Sequence, residues 1–118
     1  MKRGGLFAMA ILACALGQRP ATIIRVIDGD TVVVRLELGF ESQVEGPCRL
    51  AGIDAPELGT AAGIAGRDWM RARLTGMEAV CFAGSRRDKY GRPLVTIFDV
   101  GGNVNEAIVA AGYARTMP

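Results

Sequence analysis

Residues 22–38, TIIRVIDGDTVVVRLEL, set two runs of β-branched residues on either side of an Asp-Gly pair. β-Branched side chains fit a pleated sheet and lose rotamer freedom in a helix. Asp28-Gly29 is a turn signal of the kind that closes an antiparallel hairpin. This stretch commits the first half of the chain to paired strands over residues 22–27 and 31–38. A third strand reads over 47–53, with the glycine-flanked segment 39–46 as a loop or second hairpin turn. The three strands form an antiparallel meander. At 118 residues the chain is one domain with a single modest core.

The pattern then changes. Pro56 and Gly59 interrupt regular structure. Residues 60–75 read as a helix with Thr60 as N-cap and an apolar face of Ala62, Gly66, Trp69 or Met70, and Leu74. Gly63 and Gly66 work against that helix. Residues 77–83 read as a fourth strand, 84–92 as a charged loop, and 93–100 as a fifth strand. A short amphipathic helix over 104–112 ends at Gly112 in the left-handed conformation. The expected class is α+β, mainly β: a five-stranded OB-fold barrel with two helices.

Residues 1–17, MKRGGLFAMAILACALG, have another character. Lys2 and Arg3 precede an uncharged apolar run, and Ala13-Cys14-Ala15 supplies a small-x-small cleavage pattern, the layout of a secretory signal peptide. The run is too short for a membrane span. A lipid anchor on Cys14 is the variant reading. The expected organisation is signal peptide 1–17, linker 18–21 and domain 22–116, in a secreted or periplasmic, cell-envelope monomer.

Removing Lys2 and Arg3 from the fourteen bases leaves twelve against twelve acids, so bulk charge does not argue for nucleic acid. Distribution does. Residues 28–57 are acid-rich and residues 67–92 base-rich, which suits a cation site beside an anion-binding surface. There is no histidine, which excludes the usual zinc sites, Ser-His-Asp triads and Cys-His dyads. Cys48 and Cys81 read either as a disulfide or as two buried thiols.

Asp30 opens the second strand and Asp54 closes the third, so a meander can bring both to one hard-cation site, with Asp28 left as the turn residue. Arg49 and Arg92 beside such a site make a phosphate clamp; alone, either reads as a surface salt bridge. On a regular strand Arg49 and Asp54 point to opposite faces, but a bend after Ile53 would relax that rule. Glu57 is the candidate general base, or else a solvated loop glutamate.

The segments IDGDT, CRLAGIDAPE, DKYGRPLVTIF and VNEAIVAAGYA occur in that order between Thr22 and Ala114. In sequence and spacing they resemble the staphylococcal nuclease (thermonuclease) family. The resemblance implies an OB-fold barrel that hydrolyses DNA and RNA phosphodiesters with Ca²⁺. It implies Asp30, Asp54 and the Ala55 carbonyl as calcium ligands, although many members have threonine at the alanine. It implies Glu57 as general base or orienter of water, Arg49 and Arg92 as phosphate ligands, and Lys89 and Tyr90 as neighbours of the bound nucleotide. Two departures stand out: a short, glycine- and alanine-rich segment after Glu57, and no counterpart of the family's third helix before Pro118. The expected function is an exported calcium-dependent nuclease. The alternatives are a catalytically idle OB-fold module binding nucleic acid or protein, and a truncated family member.

Overall fold

The structure, a computed structural model, describes residues 19–74 and 78–117, without the side chains at 80 and 82–86. The signal-peptide segment, Cys14 and Gln18 lie outside the described residues. Strand β1 (Arg19–Asp28) turns through Gly29-Asp30 into β2 (Thr31–Gly39), the hairpin the sequence demands. Asp28 ends β1 paired with Thr31, and Asp30 sits in the turn, one residue later than the expected Asp28-Gly29. β2 then pairs antiparallel with β3 (Ser42–Leu50). β1 also pairs with β5 (Glu78–Arg87), and β5 with β6 (Pro93–Asp99). A parallel contact, Arg49↔Leu94 and Leu50↔Val95, returns β6 to β3. Five strands thus close on themselves in an OB-type barrel. Shorter pieces flank it: β4 (Ile53–Asp54), β7 (Gly102–Asn103) and β8 (Arg115–Thr116), with β4 and β8 paired to each other. The helices are α1 (Ala61–Leu74) and α2 (Val104–Ala110).

Several boundaries differ from expectation. Strand β1 already includes Arg19, Pro20 and Ala21, read above as linker, because they continue the ladder with Ala79, Val80 and Cys81. β3 begins at Ser42, not Pro47. Its hairpin turn places Phe40 and Glu41 at φ +53° and +62°, a left-handed pair that usually takes Asn and Gly. β3 ends at Leu50 and turns through Ala51-Gly52, with Gly52 at φ +77°, so the bend comes before Ile53. β5 runs on to Arg87, four residues into the expected loop.

The barrel interior is filled by Ile23, Val26, Val32, Val34, Leu50, Val95 and Ile97. A register shift between Ile23 and Arg25 lets Ile23 and Val26 both point inward. Each such side chain contributes about 1.5–3 kcal/mol by leaving water. α1 buries Gly63, Gly66, Met70 and Leu74, so its inward stripe passes through Gly63 where the sequence suggested Ala62, which is exposed. Thr60 is its N-cap as expected: Oγ1 accepts from Gly63 N–H at 3.0 Å. α2 ends at Ala110, two residues short of the expected 112, and Gly112 (φ +88°) closes it: the Gly112 and Tyr113 N–H groups donate to the Val109 and Ile108 carbonyls.

Asn105 binds α2 to the barrel. Its side chain is buried; Oδ1 accepts from Ile97 N–H, and Nδ2 donates to the carbonyls of Ala51 and Val95 at 3.0 Å each. That fixes the turn leading into β4. Cys48 and Cys81 are both free and buried. Burial, and then the neighbouring Cys48, push the Cys81 thiol up to about 12, as expected of an inert core thiol.

Candidate active site

The β1–β2 turn delivers the first acid. Asp28 Oδ1 accepts from Asp30 N–H at 3.1 Å, an Asx-type closure of the turn. Asp30 then points inward: it is 4% exposed, its Oδ1 accepts from Thr31 Oγ1, and its Oδ2 accepts from Ala55 N–H at 3.0 Å. Burial, and then the adjacent Asp30 carboxylate, push the Asp28 carboxyl up to about 6. Two carboxyls this close strain against both being charged, so the turn concentrates negative potential.

Across the β2–β3 ladder, Thr31 pairs with Arg49. Arg49 Nη1 lies 3.3 Å from Asp30 Oδ2, and Nη2 lies 3.3 Å from Asp54 Oδ1 and donates to the Ile53 carbonyl at 3.2 Å. The left-handed turn at Gly52 swings Asp54 back to the side of Arg49, which strand parity forbids. Asp54 is held from its other side by Arg115, whose Nη2 is 3.0 Å from Oδ2 across the β4–β8 pair.

The charged loop completes the group. Asp88 is its hub: Oδ1 accepts from Tyr90 and Arg92 N–H, and Oδ2 accepts from Arg92 Nε at 2.6 Å. Arg92 Nη1 donates to Thr31 Oγ1 at 3.2 Å, joining this loop to the Asp30 turn. Burial raises the Asp88 carboxyl, but hydrogen bonds from Arg92 and Tyr90 outweigh it and hold the group below the usual range. Tyr90 is exposed, with Lys89 Nζ and Arg92 Cζ over its ring at 5.2 and 5.3 Å.

Glu57 is exposed on the loop before α1, and its carbonyl accepts from Thr60 Oγ1 and N–H. The glycines that argued against the helix explain its position. A Cβ at Gly63 would overlap the Glu57 carbonyl, and one at Gly29 would press on Ala55 Cβ at 2.9 Å. The glycines let the acidic turn, the Glu57 loop and α1 approach closely.

All of Asp30, Arg49, Asp54, Ala55, Glu57, Lys89, Tyr90 and Arg92 line one open cleft of ≈ 500 Å³. Asp28, Asp88 and Met117 line it too. Sequence reading gave Asp28 only a turn role and Asp88 and Met117 none. Asp88 carried a usable signal, an aspartate four residues before an arginine in a Tyr-Gly turn. Ala55 touches Asp30 through its N–H, not its carbonyl.

The donor set suits a hard cation. Asp30 and Asp54 reach one guanidinium, so their oxygens converge, and all donors are oxygen. Among the described residues no three acidic, cysteine or histidine side chains are grouped at metal-binding spacing. A cation here would have two carboxylates, with backbone and water completing its shell. It would compete with Arg49 for the same oxygens.

Residues 47–118 match the family model of the staphylococcal nuclease homologues. The match covers Arg49, Asp54, Glu57 and the Asp88–Arg92 loop; the hairpin that carries Asp30 precedes it and packs into the same cleft. The chain belongs to the staphylococcal nuclease homologue family.

Proposed function

We propose that this protein is an exported, calcium-dependent nuclease that hydrolyses phosphodiester bonds of DNA or RNA. One observation carries the reading: two carboxylates, two arginines and an exposed glutamate share a single cleft on a nuclease-family fold. Arg49 and Arg92 bind the phosphate, each offering a planar fork that stays charged at any working pH. Asp88 and Thr31 fix the Arg92 fork, and Asp30 and Asp54 fix that of Arg49. Glu57 accepts the proton of the attacking water, a task for which no histidine is available. Asp30 and Asp54, with the Ala55 carbonyl, would hold Ca²⁺, which when bound offsets charge building on the phosphoryl oxygens. Lys89 and Tyr90 flank the nucleotide. Export rests on the pattern of residues 1–17, with Cys14 as the lipid-anchor variant.

Digestion of single-stranded DNA by the purified chain, with Ca²⁺ or with chelator, tests this. Calcium-dependent cleavage that is lost in Arg49→Ala is expected. Folded protein that binds the strand and never cuts it would sink the enzyme reading in favour of a binding module.

A further inference from the structure

A second hollow of ≈ 400 Å³ adjoins the cleft and shares Asp54 and Ala55 with it. Its other walls include Pro56, Tyr113 and Arg115. Local structure sets the last two. The left-handed Gly112 closes α2 and turns Tyr113 back over the helix end, where its N–H donates to the Ile108 carbonyl at 3.1 Å. Two residues on, β8 sets Arg115 opposite Asp54.

The Tyr113 ring packs against Trp69 and the core. It is half-buried, with its centroid 6.1 Å from that of Trp69 and the planes tilted by 32°. Arg115 is 80% exposed and its ion pair with Asp54 reaches into solvent. Such a pair is weak and exchanges readily for another anion. An aromatic ring lining a hollow beside an exposed guanidinium is the arrangement that takes a base and its phosphate without reading sequence.

We propose that this hollow is a subsite for the next nucleotide of a single strand, one beyond the two that flank the scissile phosphate. The base lies against Tyr113 and the outer phosphate meets Arg115. The proposal rests on the nuclease reading. A strand running through both spaces meets Tyr90 in the cleft and Tyr113 beyond the Asp54–Ala55 boundary.

The test compares kcat/KM of the full chain for a dinucleotide and for a pentanucleotide that contains the same step. The longer strand is expected to be favoured about 10-fold or more. Tyr113→Leu, which keeps an apolar side chain against Trp69, brings that ratio close to one, whereas Tyr113→Phe retains it. Arg115→Gln lowers it several-fold. A Tyr113→Leu protein with the wild-type ratio overturns the subsite. Fluorescence of Trp69, the single tryptophan, separates the two readings. A chain that cuts neither substrate but binds the pentanucleotide about 10-fold more tightly, with the preference lost in Tyr113→Leu, keeps the subsite and sinks the nuclease reading. A chain that cuts both equally well overturns the subsite and keeps the nuclease reading.

Discussion

Arg49 Nη1 stands 3.3 Å from Asp30 Oδ2, where the two side chains are only 17% and 6% exposed. The same guanidinium reaches Asp54, so one arginine balances two converging acids. In Arg49→Ala, Asp30 keeps the Ala55 N–H and the Thr31 hydroxyl but loses its guanidinium partner, a loss of about 2 kcal/mol in stability. Turnover should fall about 10²–10³-fold, as for other removed transition-state donors. The freed carboxylate oxygens should make the variant gain more thermal stability from Ca²⁺ than the wild type does. Melting curves in Ca²⁺ and in chelator check this, and superimposable curves for the variant would remove Asp30 and Asp54 from the cation reading.

Asp88 tests the loop separately. It collects two backbone N–H groups and the Arg92 Nε, so it aims Arg92 without lining up on a cation. Asp88→Ala should raise KM for a diester several-fold, since a loose arginine binds phosphate in both ground and transition states. Arg92→Ala in the same background should add little further. Fully additive effects in that double-mutant cycle would show that Asp88 does not act through Arg92.

Much of this site was legible because its residues sit where local signals are strongest. Asp30 sits in the turn that the Asp-Gly pair signals, Glu57 follows a proline, and Arg92 closes a glycine turn. What stayed hidden depended on pairings that no local pattern carries. Strand parity alone would set Arg49 and Asp54 on opposite faces; the bend expected after Ile53 comes earlier, at the left-handed Gly52. Arg115 became a partner of Asp54 through β4 and β8, each two residues long and too short to have a period. The β2–β3 turn used Phe40 and Glu41 in a conformation their side chains disfavour, so β3 lost half its length in the sequence reading. Asn105, to which the sequence reading gave no role, is a buried three-bond anchor.

Gly63 gives the sharpest structural prediction. In an exposed helix, Gly→Ala gains up to about 1 kcal/mol. Here the added methyl would strike the Glu57 carbonyl backbone, which cannot move without shifting the candidate base. Gly63→Ala should therefore lose about 1–3 kcal/mol, the usual range for forced overpacking. Activity should drop beyond what stability explains. Gly59→Ala, whose Cβ would meet nothing within 4 Å, is the control. Urea midpoints decide the matter; a more stable Gly63→Ala would mean the Glu57 loop does not lie against α1.

The last prediction concerns acid. Arg73, in the last turn of α1, grips Asp99 at the end of β6 with Nε and Nη2 at 2.7 and 2.9 Å. The Arg73 hydrogen bonds, opposed by burial and helped by Gly101 N–H, hold the Asp99 carboxyl below its ordinary 3.8. A carboxyl lowered by folding stabilises the native state in full above its unfolded value. That contribution fades as pH drops through the lower folded value. The pair is partly exposed, so about 1 kcal/mol is the appropriate size. Asp99→Asn should thus be less stable than wild type at neutral pH, and the gap should close in acid below 3.8. Urea unfolding across that range measures it. A gap that persists undiminished in strong acid would mean that Asp99 acts through packing or its Gly101 contact, not through its charge on Arg73.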